Sequence, residues 1–247
     1  MEKEKVIEVK DLVKRFGAFM ANDRLTFDVY RGEIFGFLGA NGAGKTTAMR
    51  ILCGLSRPTS GRVTVAGIDA SRRPEEIKKR IGYMSQRFSL YEDLTVRENI
   101  ELYGGIYGMS MKVIIPRREA LLDRLSFTQY GDMLIHALPL GLRQKLAFAV
   151  AVFHDPEIVF LDEPTSGVDP VTRRQFWEMI YETASHGITV FVTTHYMDEA
   201  EYCDRIAIMS EGQIAAIDSP SALRKQYGTA SVEELFVKIA RPQKSKT

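Results

Sequence analysis

Eight consecutive residues, Gly39-Ala40-Asn41-Gly42-Ala43-Gly44-Lys45-Thr46, fit the pattern G-x-x-x-x-G-K-[ST] at every position. Glycines let a backbone fold tightly around a phosphate and turn its N–H groups inward. A helix starting near Lys45 brings the positive end of its dipole to the same place, and Lys45 adds a full charge for the β- and γ-phosphates. Thr46 offers a hydroxyl to Mg²⁺, and Thr47 completes the nucleotide-binding set. A glycine-rich run is sometimes only a link between strand and helix. Here the apolar stretch 34–38 precedes it and a helical pattern follows it, which is the context a phosphate loop requires.

A second cluster of chemistry ends another apolar stretch, Ile158-Val159-Phe160-Leu161-Asp162-Glu163. Two acids at a strand end, taken alone, do no more than meet solvent or cap a turn. Paired with a phosphate loop, Asp162 becomes the partner that holds Mg²⁺ directly or through water. Glu163 is then free to orient and deprotonate an attacking water, a general-base contribution of roughly 10²- to 10⁴-fold. A third apolar run, 188–193, ends in Thr194-His195. The strand order that the pattern suggests puts this end beside the other two, within reach of a γ-phosphate.

The elements that must position these groups follow from periodicity. Residues 6–9, 25–29, 34–38, 61–66 and 81–84 read as strands, with a turn at Arg31-Gly32-Glu33. A helix is expected over 45–55. Thr95 and Glu98 have the spacing of a capping box before a helical run to 106, and further helices are expected over 116–125 and 140–153. Strands return at 158–161, 188–193, 206–209 and 214–217. Asp169-Pro170 and Ser219-Pro220 each place a capping side chain before a proline in the first helical turn. The pattern predicts an α/β fold with a mostly parallel sheet and helices on both faces. The core would span 1–88 and 154–240, with a helical lobe inserted over about 89–153 and a solvated tail at 241–247. In such sheets ligands bind at the carboxyl ends of the strands.

Composition sets the outer limits. The 247 residues are 45% hydrophobic and 26% charged, the make-up of a folded globular chain. Lys plus Arg number 33 against 32 Asp plus Glu, so no sequence-wide basic excess argues for nucleic acid. The opening MEKEKVIEVK has no apolar core of a secretory signal, and no run approaches the length needed to cross a bilayer. Cys53 and Cys203 lie far apart within apolar patterns and read as reduced, buried small hydrophobes.

With those motifs in place, the chain resembles the nucleotide-binding domain of ABC transporters, a P-loop NTPase fold, along nearly its whole length. That resemblance implies a mixed sheet with an antiparallel N-terminal β part. Several separated motifs occur in that family's order. Gln86 resembles the family's Q-loop glutamine, which touches Mg²⁺ or the attacking water and borders the transmembrane contact. Glu163-Pro164-Thr165-Ser166-Gly167-Val168-Asp169 resembles the segment running into the D-loop, with Asp169 at a dimer contact. Phe16 sits where the family places an aromatic that stacks on adenine. One motif departs from the pattern. The family's signature should open the third lobe helix as Leu-Ser-Gly-Gly-Gln, whereas this chain reads Leu138-Pro139-Leu140-Gly141-Leu142. Pro139 has neither hydroxyl nor N–H to donate, so only later N–H groups and the helix dipole remain for an anion.

The resemblance implies an ATPase subunit using ATP and Mg²⁺, with Lys45, Gln86, Glu163 and His195 as catalytic groups and Thr46, Gln86 and Asp162 at the metal. It implies a head-to-tail dimer with a second ATP-binding domain. It also implies a membrane permease partner, of the ABC-2 exporter type, and a cytoplasmic place on the inner face of the cell membrane. Two rival readings are an ABC ATPase acting on DNA or the ribosome, and a regulatory subunit that closes on nucleotide with little turnover. The first lacks a coiled-coil insertion between Lys45 and Asp162; the second sits poorly with an intact Glu163 and His195.

Overall fold

The computed structural model describes residues 3–86 and 90–240. The chain opens on a long hairpin, β1 (Lys5–Phe16) and β2 (Phe19–Tyr30), closed by a turn at Gly17-Ala18. Both strands run well beyond the short apolar stretches that mark them in the sequence. Bulges at Asp11 and Arg24, both with positive φ, let the pairing continue through charged residues that period-2 reading ends on. With β4 (Ser60–Val65) and β5 (Ile68–Asp69) the hairpin makes an antiparallel sheet in the order β2-β1-β4-β5.

A second sheet takes the remaining strands: β3 (Ile34–Gly39), β6 (Ile81–Met84), β7 (Ile158–Asp162), β8 (Thr189–Thr194), β9 (Arg205–Ser210) and β10 (Gln213–Asp218). Its order is β10-β9-β3-β8-β7-β6, parallel throughout except for β10. Every residue of β3, β7 and β8 is buried, as continuous apolar runs require when both faces of a parallel sheet are covered. Alternate side chains then feed two cores. Ile158, Phe160 and Phe191 point toward the antiparallel sheet and α1 (Lys45–Leu52), while Val159, Leu161, Val190 and Val192 meet α5 (Leu140–Ala151) and α6 (Pro170–Ser185). On the first face five phenylalanines cluster, with the Phe191 ring 5.3–6.4 Å from those of Phe27, Phe35, Phe37 and Phe160.

Between β6 and β7 the chain leaves the sheet for helices. The short α2 (Pro74–Lys78) precedes β6; α3 (Val96–Ile106), α4 (Met111–Leu125) and α5 follow it. The capping box at α3 forms: Glu98 N–H donates to Thr95 Oγ1 at 3.2 Å and Thr95 N–H to Glu98 Oε2 at 2.8 Å. Helix α4 begins five residues before the expected Pro116, which lies inside it. The preceding turn forms because Ile114 is fully buried against α3, where a Cβ on Gly104 would come within 2.8 Å of it. That packing outweighs the one backbone hydrogen bond proline removes. Ser219 caps α7 (Pro220–Tyr227) as its sequence predicts, and α8 (Val232–Ala240), unassigned by sequence, packs Val232 and Leu235 on the same core. The expected tail at 241–247 and the lobe's first residue, 89, lie outside the described residues.

Cys53 and Cys203 are both buried and unlinked, and burial pushes each thiol up. No helix among the described residues is long and apolar enough to cross a membrane. Replacing Phe191 with Ala should remove the hub of the phenylalanine cluster at a cost of about 3–5 kcal/mol. Urea denaturation measures this, and a loss below about 1 kcal/mol would show that the cluster closes over the gap.

Candidate functional site

In the parallel sheet, β8 lies between β3 and β7, so three carboxyl ends meet at one edge. Leu38 is level with Thr194, and Asp162 with Thr193. Register alone therefore brings the loop after Gly39, the acids at 162–163 and His195 to one place.

The loop after β3 is shaped by glycine. Gly42 and Gly44 have φ of 82° and 101°, in the left-handed region that other residues enter at a cost. A Cβ on Gly44 would lie 2.3 Å from the carbonyl oxygen of Ala21 in β2. Asn22, wholly buried next to it, donates from Nδ2 to Gly44 O at 3.1 Å. The hairpin thus acts as a rigid backing for the loop, a role its sequence does not announce. Lys45 is buried, and its ammonium donates to Gly39 O at 2.7 Å and Ala40 O at 3.2 Å, with Glu163 Oε1 at 3.6 Å. Burial pulls its pKa below the usual lysine value, an effect that Glu163 and Asp162 partly offset.

Asp162 is almost fully buried and accepts from Thr193 Oγ1 at 2.6 Å and from Thr46 Oγ1 at 3.3 Å. Burial raises its pKa despite those hydroxyls. Glu163 holds φ at 48°, a strained conformation costing roughly 1–2 kcal/mol for a side chain of this kind. Its N–H, donated to both O and Oγ1 of Thr193 at 3.1 Å, locks the turn. Gln86 Nε2 donates to Glu163 Oε2 at 3.0 Å. His195 Nδ1 lies 3.0 Å from the same oxygen, off the line of a hydrogen bond. Lys45, Gln86, Glu163 and His195 are therefore in mutual contact through one carboxylate.

A cleft of about 440 Å³ opens over Lys45, Gln86 and Glu163, lined also by Asn41, Gly42, Gly44, Thr46 and Thr47 on the same side, while Asp162 and His195 lie outside its lining. Phe19 and Ala21 of β2 line the other side. Phe16 does not line the cleft; it is 56% exposed and pairs across the hairpin with Phe19, which is 63% exposed. The tip thus offers two aromatics, of which the sequence reading singled out one. Gly39, Ala40 and Ala43 shape the loop from beneath or beside it, Ala40 N-terminal to a turn closed by Ala43 N–H on its carbonyl.

The remaining residues lie on α5 and α6. Leu138 is buried, Pro139 caps α5 without a side-chain hydrogen bond, and Leu140 is exposed. Gly141 is required by close packing, since a Cβ there would meet Thr172 Cγ2 at 2.8 Å; Leu142 is half-buried. Asp169 caps α6, accepting from Val171 N, Thr172 N and Thr172 Oγ1, and the last of these chiefly lowers its pKa. A larger, mainly apolar cleft of about 570 Å³ lies elsewhere, between α1, α2 and α3, lined by Leu55, Lys78, Tyr83, Tyr103, Ile106 and Tyr107 among others.

Comparison with known proteins bears on this geometry. The family model described as "ABC transporter" matches residues 22–166, more than half the chain. The chain belongs to the ABC transporter family, as an ATP-binding domain. It is 44% identical over 241 residues to the probable multidrug ABC transporter ATP-binding protein YbhF of Escherichia coli (strain K12). That match covers 96% of this chain and 42% of the relative, so the chain spans less than half of that protein. Among solved structures, an ATP-binding subunit of an ABC transporter aligns with a TM-score of 0.86 at 30% identity, covering 96% of this chain and all of that one. The dimeric, post-hydrolysis ATP-binding cassette MJ0796, bound to ADP and Pi, aligns with a TM-score of 0.78 at 26% identity, over 86% of this chain and 98% of that one. The ABC fold, antiparallel part and parallel sheet together, is the one the family resemblance implies, and the parallel sheet is the part expected from the alternating pattern.

The contact between Gly44 and the hairpin is the tightest constraint on this ABC domain's loop. Gly44→Ala should force that loop off Ala21 and lower stability by about 1–3 kcal/mol. It should also weaken binding of a fluorescent nucleotide; wild-type stability and affinity together would show that the backing is dispensable.

Proposed function

We propose that this chain is the ATP-hydrolysing motor of a transporter, working on a separate membrane permease. The observation that carries the reading is the meeting of phosphate loop, Asp162, Glu163 and His195 at one edge of the parallel sheet. Backbone N–H groups of residues 40–47 and the α1 dipole hold the phosphates. Lys45 neutralises the transferring group, and His195 approaches the same phosphate from β8. Glu163 orients and deprotonates water, with Gln86 fixing the carboxylate's second oxygen. Phe19 at the cleft wall, with Phe16 paired to it across the hairpin, supplies the aromatic surface for adenine.

The residues fit Mg²⁺. Asp162 is a buried carboxylate with raised pKa, and Thr46 Oγ1 stands against it. Among the described residues no cluster of three His, Cys, Asp or Glu forms a protein-only cage. This donor set suits a cation that keeps water and phosphate oxygens as ligands. Thr46, Asp162 and Gln86 would hold it, and when bound it would neutralise charge on the phosphate oxygens.

The α5 N-terminus, with Leu138, Pro139, Leu140, Gly141 and Leu142, and the α6 cap at Asp169 form the face for a second ATP-binding domain. The dimeric state named for MJ0796 supports that partner. The apolar cleft beside α3, with Leu55 and Ile106 exposed at its rim, suits a helix of the permease. That partner would hold the chain on the inner face of the membrane. Export through an ABC-2-type permease agrees with the multidrug transporter named for YbhF. No nucleic-acid partner is required.

Lys45→Ala should abolish ATP hydrolysis in a phosphate-release assay, and normal turnover would count against the site. Glu163→Gln should still bind ATP while hydrolysing it at least about 10²-fold more slowly; unchanged turnover removes Glu163 from the role. In light scattering, the same variant should shift from monomer to dimer with Mg-ATP. No shift with binding intact would assign the Pro139 face to a different partner domain.

A further inference from the structure

Glu199 is wholly buried at the start of a 3₁₀ turn, Glu199–Tyr202, and none of the motifs above includes it. An isolated carboxylate at such a site costs several kcal/mol in desolvation unless its oxygens are satisfied. Both oxygens have partners, and neither partner belongs to its own turn. Thr165 Oγ1 donates to Oε1, and Thr194 Oγ1 donates to Oε2 at 2.6 Å. Arg173 Nε, on α6, stands 3.6 Å from Oε1, an ion pair too long for a hydrogen bond. The Arg173 guanidinium also lies over the Tyr196 ring, at 4.4 Å.

The positions of these partners carry the argument. Thr165 is two residues after Glu163, and Thr194 is the residue before His195. Strands β7 and β8 stay in register through Asp162 and Thr193, and Glu163 N–H makes the last backbone bond between them. Past that point the two segments separate. Among the described residues, no backbone hydrogen bond joins 164–168 to 195–199. The carboxylate of Glu199 spans the gap. Thr194 Oγ1 also accepts from Tyr196 N–H at 3.0 Å, so the same hydroxyl that binds Glu199 shapes the peptide carrying His195. A purely local cap would bond within its own turn; this one joins the end of β8 to Thr165, which lies 34 positions from Glu199 in sequence.

We infer that Glu199 is a positioning residue that sets the separation of Glu163 and His195 by clamping Thr165 and Thr194 to one carboxylate. The inference rests on the catalytic roles proposed for Glu163 and His195. It follows that removing either arm loosens the 3.0 Å approach of His195 Nδ1 to Glu163 Oε2 while leaving the phosphate loop as it is. Misplacement of a catalytic group by about 1 Å costs up to about 10²-fold in rate, so the loss falls on kcat rather than on nucleotide affinity.

The test uses the whole chain in steady-state ATPase assays, with fluorescent-nucleotide binding measured in parallel. Glu199→Gln, Thr165→Val and Thr194→Val should each lower kcat at least about fivefold, with KM and nucleotide affinity within about twofold of wild type. In a His195→Ala background, Thr194→Val should lower kcat further by less than about twofold, because its effect already passes through His195. The two hydroxyl deletions carry the test if Glu199→Gln does not fold. Wild-type kcat in both, or loss of affinity in step with kcat, or full additivity with His195→Ala, overturns the clamp. Unimpaired turnover of Glu163→Gln and His195→Ala removes the site reading and the clamp with it; impairment of those two alongside wild-type Thr165→Val and Thr194→Val removes the clamp alone.

Discussion

The site depends on the parallel register of three buried strands. Because β8 lies between β3 and β7 with every residue buried, none of the three can slip without turning apolar side chains out of one core into the other. The phenylalanine cluster on one face and the aliphatic contacts with α5 and α6 on the other pin that register from both sides. Chemistry then collects where the strands stop. The carboxyl edge holds the loop glycines, the Asp162–Thr193 hydrogen bond and the strained Glu163 turn, all of them anchored by strand ends rather than by flexible loops.

Burial also sets the electrostatics. Lys45, Asp162 and Glu163 are each mostly withdrawn from water, and desolvation pushes Lys45 down and Asp162 up. The two charges stabilise each other only in part, so burial still dominates both. Neutral hydroxyls serve the buried acids: Thr193 and Thr46 donate to Asp162 at 2.6 and 3.3 Å, and Thr165 and Thr194 donate to Glu199.

Much of this was legible in the sequence because it is local. The phosphate loop, the acids ending β7, the capping box of α3 and the Asp169 and Ser219 caps are all patterns over a few residues, and each forms as read. What escaped depends on distant partners. Helix α4 starts at Met111 because Ile114 packs on Gly104, a contact that outweighs the signal from Pro116. Strands β1 and β2 run longer than their apolar cores because bulges rescue the pairing. Phe19, rather than Phe16, lines the cleft because a two-residue turn places it there. Asn22 and Glu199 belong to no local pattern, and only tertiary burial shows what they hold.

The carbonyl of Ala21 is the point on which three distant segments rest. Gly44 of the phosphate loop would bring a Cβ within 2.3 Å of that oxygen, and Gly212, at φ 78°, within 3.1 Å of it, while Gly212 O accepts from Asp23 N–H. Hairpin, loop and the β9–β10 turn therefore share one footing, with no slack among them. A graft of any one of these stretches from another chain would therefore have to reproduce the close approach of the other two at Ala21.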